Sequence, residues 1–167
     1  MNAIRILGLD PGLRRTGWGV IALDGARLSH IAHGVIAPDP DAPFSERLLA
    51  LFEQAAEIVA TYGPHEAAIE ETFVTANGSS TLKLGHARAA VMLAPARAGL
   101  CVAEYAAKEV KKSVVGVGGA DKTQVAFMVR RILPTSGEAC ADAADALAVA
   151  IAHAHARKLR RLSGAAA

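Results

Sequence analysis

The run IRILGLDPGLRRTGWGVIALDGARLSHIAHGVIA, from Ile4 to Ala37, decides the fold. Ile4 to Asp10 is a short apolar run that ends on an acid, the pattern of a buried strand. Pro11-Gly12 turns the chain. Thr16 to Leu23 and Leu28 to Ala37 are two further apolar runs, joined across Asp24-Gly25. Asp-Gly between apolar runs is a strong hairpin signal, so the chain opens with three consecutive antiparallel strands.

Outward from there the period changes. Leu48, Leu51, Phe52, Ala55, Ile58, Val59 and Tyr62 recur at three-and-four spacing and predict a helix from Pro43 to Tyr62, stopped by Gly63-Pro64. Ala67 to Glu71 is a short strand. Ser79 to Ala98 reads as a long helix of small residues that Pro95 ends or kinks. Leu100 to Glu104 is a fifth strand, and helices are expected over Ala106–Lys112, Lys122–Leu133 and Ala139–Leu159. A three-strand meander followed by helix, strand, helix, strand and helices predicts an α/β fold. It is a mixed five-stranded sheet flanked by helices, in an order that matches the ribonuclease-H-like fold.

Composition narrows the class. The 167 residues are 52% hydrophobic, 20% charged and 4% aromatic, with a net charge of +2. That length suits one domain, taken here as 1–157, with KLRRLSGAAA closing the chain as a basic, disordered tail over 158–167. A chain of this size buries roughly two thirds of its unfolded surface and needs no staples. No long uncharged apolar run is present, which argues against a membrane span. The start, MNAIRILGLD, lacks a basic region followed by an apolar stretch. Cys101 and Cys140 share no framework or metal spacing. Both points lead to the expectation of a reducing cytoplasm. Residues 1–80 hold five Lys/Arg against ten Asp/Glu, and residues 81–167 thirteen against six. A basic half could face nucleic acid, although a fold that interleaves the halves cancels the asymmetry.

Three acidic features stand out. Asp10 ends an apolar strand; alone, it reads as a turn-starting Asp before Pro-Gly. Glu70 and Glu71 close AAIEE, and because successive strand residues face opposite sides, only one of them can join Asp10 over the sheet. Asp142 and Asp145 lie three apart in CADAADALAVAIAHAH, on one face of an otherwise apolar helix, where they are costly to desolvate and repel each other unless cations intervene. A first-turn pair favoured by the helix N-terminus is the plainer reading. Brought to one sheet edge, these hard oxygen donors suit Mg²⁺ or Mn²⁺. Two such ions about 3.5–4 Å apart clamp the attacking and leaving oxygens of an in-line phosphoryl transfer.

The motifs ILGLDPGLRRTGWGV, AIEETF, LKLGHARAA, EYAAKEVKKSVVG, ADKTQV and ADAADALAVAIAHAH occur in that order from Ile4 to about His155. Together they resemble the bacterial RuvC family of Holliday-junction resolvases. The resemblance implies a homodimer that nicks two opposed strands of a four-way DNA junction in recombination and repair. It implies Asp10, Glu70, Asp142 and Asp145 as metal ligands, choosing Glu70 over Glu71, with two Mg²⁺ per subunit and Mn²⁺ as a substitute. Some family members carry His at the position of Asp142. It further implies coupling to a branch-migration motor. It places Lys111 and Lys122 at positions that support cleavage and DNA binding, and makes the helix carrying Leu82, Gly85, Ala89, Met92 and Leu93 the dimer interface.

Lys111, Lys112 and Lys122 flank the glycine-rich VVGVGGAD and read as a phosphate-gripping surface or as ordinary solvated lysines. Phe73, just after Glu70, could stack on an unpaired base or pack in the core. Arg14 and Arg15 in the first turn could contact phosphate. GVGGADKT is not a P-loop, because Asp121 stands where a glycine must precede the lysine; Asp121 with Gln124 reads as a helix-capping pair. His153 and His155 cannot chelate together on one helix and read as structural. DPGLRRTG also resembles the phosphate loop of actin-like ATPases, which need two such domains. A non-catalytic junction-binding module is the other alternative, and retention of all four acids argues against it.

Overall fold

The computed structural model describes residues 3–71 and 78–162, the last of these (158–162) by backbone alone. Strands β1 (Ile4–Asp10), β2 (Thr16–Asp24) and β3 (Arg27–Ile36) form the antiparallel meander. Helix α1 (Phe44–Tyr62) leads to β4 (Glu66–Glu70), α2 (Gly78–Arg97) to β5 (Val102–Tyr105), and the chain closes with α3 (Ala107–Val115), α4 (Lys122–Ile132), a short 3-10 turn (Pro134–Ser136) and α5 (Ala141–Leu162). The sheet order is β3-β2-β1-β4-β5, with β4 parallel to both β1 and β5. This is the ribonuclease-H-like arrangement that the element order predicts.

Strand alternation sorts the core into two layers. Leu7, Leu9, Val20, Ala67 and Ile69 face α1 and α2, packing on Leu51, Ala55, Ala87 and Val91. Ile6, Ile21 and Ala68 face the other way, onto Val110, Val125, Leu147 and Ile151 of α3, α4 and α5. The residues that continue this second parity are Asp10 and Glu70, so both acids emerge on the α5 side of the sheet.

Helix α5 lies unusually close to that side because the strands supply glycines under it. A Cβ at Gly8 would stand 2.2 Å from the Ala146 carbonyl oxygen, one at Gly17 1.9 Å from that of Asp142, and one at Gly19 2.6 Å from the Leu147 side chain. Side chains at these positions would lift the helix away.

Local signals hold at most boundaries. Gly63 ends α1 in the left-handed region, its N–H on the Val59 carbonyl. Asp121 caps α4: its side chain accepts from Gln124 N at 2.8 Å, and Gln124 Oε1 accepts from Asp121 N at 2.9 Å. Pro95 falls in the last turn of α2, which ends two residues on at Arg97. Two helices outrun their expected ends by three residues, α3 reaching Val115 rather than Lys112. Helix α5 continues to Leu162, so the division after residue 157 falls inside the helix, while 163–167 lie outside the described residues.

Candidate active site

The loop from Pro11 to Arg15 is fixed before any charge is placed. Thr16, fully buried, donates from Oγ1 to the Gly12 carbonyl at 2.8 Å and accepts from Gly12 N at 3.1 Å. Arg47 of α1 donates from Nη2 to the Leu13 carbonyl at 3.1 Å. Asp10 therefore leaves the sheet into a tied turn rather than a free one.

Asp10, Glu70 and Asp145 line one cleft of about 170 Å³, walled by Ala107, Val110, Val125 and Ala148, with Lys111 and Lys122 at its border. Asp142 stands one turn before Asp145, near enough to act on Asp10 electrostatically. Glu71 is exposed, and its N–H is spent on the Tyr105 carbonyl at 2.9 Å. The structure thus separates the two candidates on β4 as strand alternation requires.

Charge in this cleft is unbalanced. Burial, then Glu70 and Asp145, push the Asp10 carboxyl up to about 7, with Lys122 opposing. Burial and Asp145 likewise raise Glu70, with Lys122 and Lys111 opposing. Two cations offset part of the charge. Lys122 Nζ donates to Asp145 Oδ2 at 2.9 Å, which raises the lysine, and Arg15 Nε donates to Asp142 Oδ2 at 2.6 Å. Both cations are largely exposed, their side chains 74% and 54% accessible, so solvent screens these pairs.

As a donor set the cleft fits a hard divalent cation: its acids are all oxygen donors, partly desolvated and short of positive charge even beside Lys122. As they stand, no three His, Cys, Asp or Glu side chains among the described residues are arranged to hold an ion. Asp145 and Asp142 turn instead to Lys122 and Arg15.

Other expected residues fall as follows. Arg14 is exposed on the first loop, and Lys112 is exposed on α3, outside the cleft lining. Phe73 lies outside the described residues. His153 and His155 do not meet. Tyr105 Oη lies 2.9 Å from His153 Nδ1, and His153 Nε2 lies 2.9 Å from Glu66 Oε2; His155 Nδ1 contacts Ser113 Oγ at 3.1 Å. These are structural contacts. A larger cleft of about 320 Å³ between α4 and residues 136–139 is spanned by the Arg130–Glu138 ion pair at 3.6 Å and gathers no acid cluster.

Sequence reading missed the glycines beneath α5 and the tie at Arg47. Glycine inside an otherwise apolar strand was the available signal for the first.

Comparison with known proteins decides the lineage. The family model for the crossover junction endodeoxyribonuclease RuvC matches residues 6–153. The chain belongs to the RuvC family. The RuvC of Maricaulis maris is 65% identical over 164 residues, covering 98% of each chain, and that of Caulobacter sp. strain K31 is 61% identical over 96% of this chain and 98% of its own. Among solved structures, Thermus thermophilus RuvC in complex with a Holliday junction substrate superposes with a TM-score of 0.87 at 33% identity, covering 93% of this chain and 96% of that one. The yeast mitochondrial Holliday junction resolvase Ydc2 shares the fold at 14% identity, with a TM-score of 0.63. All four acids, Lys111 and Lys122 lie within the span of the RuvC model.

Proposed function

We propose that the protein resolves four-way DNA junctions by paired, symmetric nicks, using Asp10, Glu70, Asp142 and Asp145 as ligands for divalent metal. Membership of the RuvC family makes it a crossover junction endodeoxyribonuclease acting in recombination and repair. The observation that carries the metal assignment is the meeting of Asp10, Glu70 and Asp145 in one cleft from three distant parts of the chain, with Asp142 beside them.

The ligand chemistry suits two Mg²⁺ per subunit, with Mn²⁺ able to substitute; bound there, they supply an activated water and a stabilised leaving oxygen for in-line hydrolysis. The protein's own groups do the rest. Asp10 and Glu70 are delivered by strand ends and the aspartates by a helix seated on the sheet, so the main chain behind the four acids is in place before DNA arrives. Lys122 and Lys111 border the acids, where a cation neutralises the phosphate under attack. Arg14, Arg15 and Lys112 are exposed and suit backbone phosphates. No protein nucleophile is required, and the products carry 5′-phosphate and 3′-hydroxyl ends.

The working unit is a homodimer. Helix α2 buries Ala87, Ala90, Val91 and Ala94, yet leaves Leu82 and Leu93 64% and 59% exposed, with Gly85 and Ala89 on the same outer side. A core helix would have buried that stripe. Among the described residues nothing lies within 4 Å of a Cβ built on Gly85, so none of them requires glycine there. A second copy on the stripe gives a twofold assembly matched to the twofold symmetry of the junction. The cytoplasm is its place of action, and coupling to a branch-migration motor follows from the family likeness. No helix among the described residues is long and apolar enough to cross a membrane.

The test is nicking of a synthetic four-way junction with Mg²⁺ added or withheld, linear duplex and ATP hydrolysis serving as controls. Asp10→Asn should abolish nicking and leave junction binding within a few-fold of the unaltered protein. Full nicking by that variant refutes the assignment.

A further inference from the structure

The acid on β4 stands at the very end of its strand. Pairing of β4 with β1 stops at Ile69, opposite Leu9, one residue before Glu70. Beyond that point Glu70 still pairs with Tyr105 of β5, Glu71 N donates to the Tyr105 carbonyl at 2.9 Å, and Arg88 Nε adds a side-chain tie by donating to the Glu70 carbonyl at 3.0 Å. Arg88 belongs to α2. Its Nη2 also pairs with Glu104 Oε2 on β5, and its side chain is only 18% exposed. One guanidinium thus ties α2, β4 and β5 together at the residue that presents its carboxylate to the cleft.

We infer that Arg88 is a positioning residue for Glu70, fixing the strand end so that the carboxylate meets Asp10 and Asp145. The inference rests on the reading of Glu70 as a metal ligand. Arginine is required because its planar fork directs Nε and Nη2 at two acceptors in fixed relation, a geometry that a lysine ammonium does not hold. A partly buried carbonyl that loses its donor is left less well satisfied, so the strand end loosens when the fork is lost. The same helix carries the outward stripe of Leu82 and Leu93, so whatever packs against α2 bears on the Glu70 anchor as well.

The test is Mn²⁺ binding to the DNA-free protein, followed by electron paramagnetic resonance, in unaltered protein and in Arg88→Lys, Arg88→Met, Glu104→Gln and Glu70→Gln. Groups that orient metal ligands typically change affinity by about 10–100-fold, so both Arg88 variants should lose about tenfold or more. Their junction affinity without divalent ion should stay within about twofold, and their nicking should recover as Mn²⁺ is raised, the loss lying in half-saturation rather than in the saturated rate. Glu104→Gln keeps the Nε bond and should lose less; it carries the test if the Arg88 variants do not fold. Unchanged Mn²⁺ affinity in Arg88→Met, or in Glu104→Gln if that variant stands alone, overturns the inference when Glu70→Gln binds weakly. Unchanged affinity in Glu70→Gln removes the ligand reading itself, and the inference with it.

Discussion

Gly17 of β2 lies directly beneath the main chain of Asp142: a Cβ on Gly17 would stand 1.9 Å from the Asp142 carbonyl oxygen. Both sides of that contact are backbone, in a sheet and in a helix, so neither gives way cheaply. Gly17→Ala should cost about 3 kcal/mol or more, the upper end of overpacking penalties. It should also weaken Mn²⁺ binding, because the same displacement carries Asp142 away from Asp10. Urea unfolding and a metal titration check the two effects. Gly85→Ala, with open space around its Cβ, should leave the unfolding free energy of the single chain unchanged or raise it by up to about 1 kcal/mol.

The pH dependence of the metal-free protein follows from Asp10. Its carboxyl is raised to about 7 in the fold by burial and then by Glu70 and Asp145, against 3.8 in an unstructured chain. Between those values the folded state binds more protons than the unfolded state, so stability falls as pH rises from about 4 to about 7. The effect is on the order of a few kcal/mol. Asp10→Asn should flatten that part of the curve, and saturating Mg²⁺ should do the same by holding the carboxylate ionised. Denaturant midpoints at pH 5 and pH 8, with and without Mg²⁺, measure it. A midpoint lost towards pH 5 relative to Asp10→Asn contradicts the burial argument.

Lys122 pairs with Asp145 and Arg15 with Asp142, so if these aspartates bind metal as proposed, each cation is a rival for its acid. Lys122→Gln and Arg15→Gln should therefore bind Mn²⁺ in the absence of DNA as tightly as the unaltered protein or several-fold more tightly, since a resident cation has been removed. Nicking should nevertheless slow in Lys122→Gln, by about 10²-fold if that cation steadies the reacting phosphate. Isothermal titration and single-turnover nicking separate the two. Weaker metal binding in both variants would show that the cations organise the acids rather than rival the metal.

Leu82→Glu and Leu93→Glu place a charge on the outward stripe of α2 without touching its buried side. Each should convert the protein to monomer at micromolar concentration in sedimentation, with circular dichroism unchanged. Nicks on the two opposed strands should then lose their pairing in time.

Much of this molecule is written locally. The Asp24-Gly25 hairpin, the spacing of Leu48 to Tyr62 and the Asp121/Gln124 cap each depend on neighbours in sequence, and each element stands within a few residues of its expected ends. The acids stand out for a different reason, since a carboxylate in an apolar context is conspicuous wherever it stands. Reading Asp10 as more than a turn residue and choosing Glu70 over Glu71, however, rest on the family resemblance. What the sequence withheld depends on distance between elements. Gly8, Gly17 and Gly19 look like strand irregularities until a helix is laid over them. Arg88 looks like a surface cation in a small-residue helix until the end of β4 is beside it. The last helix runs three residues past its expected end, to Leu162, and its far portion carries a tertiary contact the sequence does not announce, Arg157 Nε donating to Glu66 Oε1 at 2.8 Å one turn beyond His153.

Those contacts, set against the glycines, have a mechanical meaning. Helix α5 is seated on bare strand backbone at the end that carries Asp142 and Asp145, and it is pinned through His153 and Arg157 to Glu66 at the other. A beam fastened at both supports neither slides nor tilts. The two aspartates thus have a fixed place over the sheet, and a strand to be cut should have to come to them rather than the reverse.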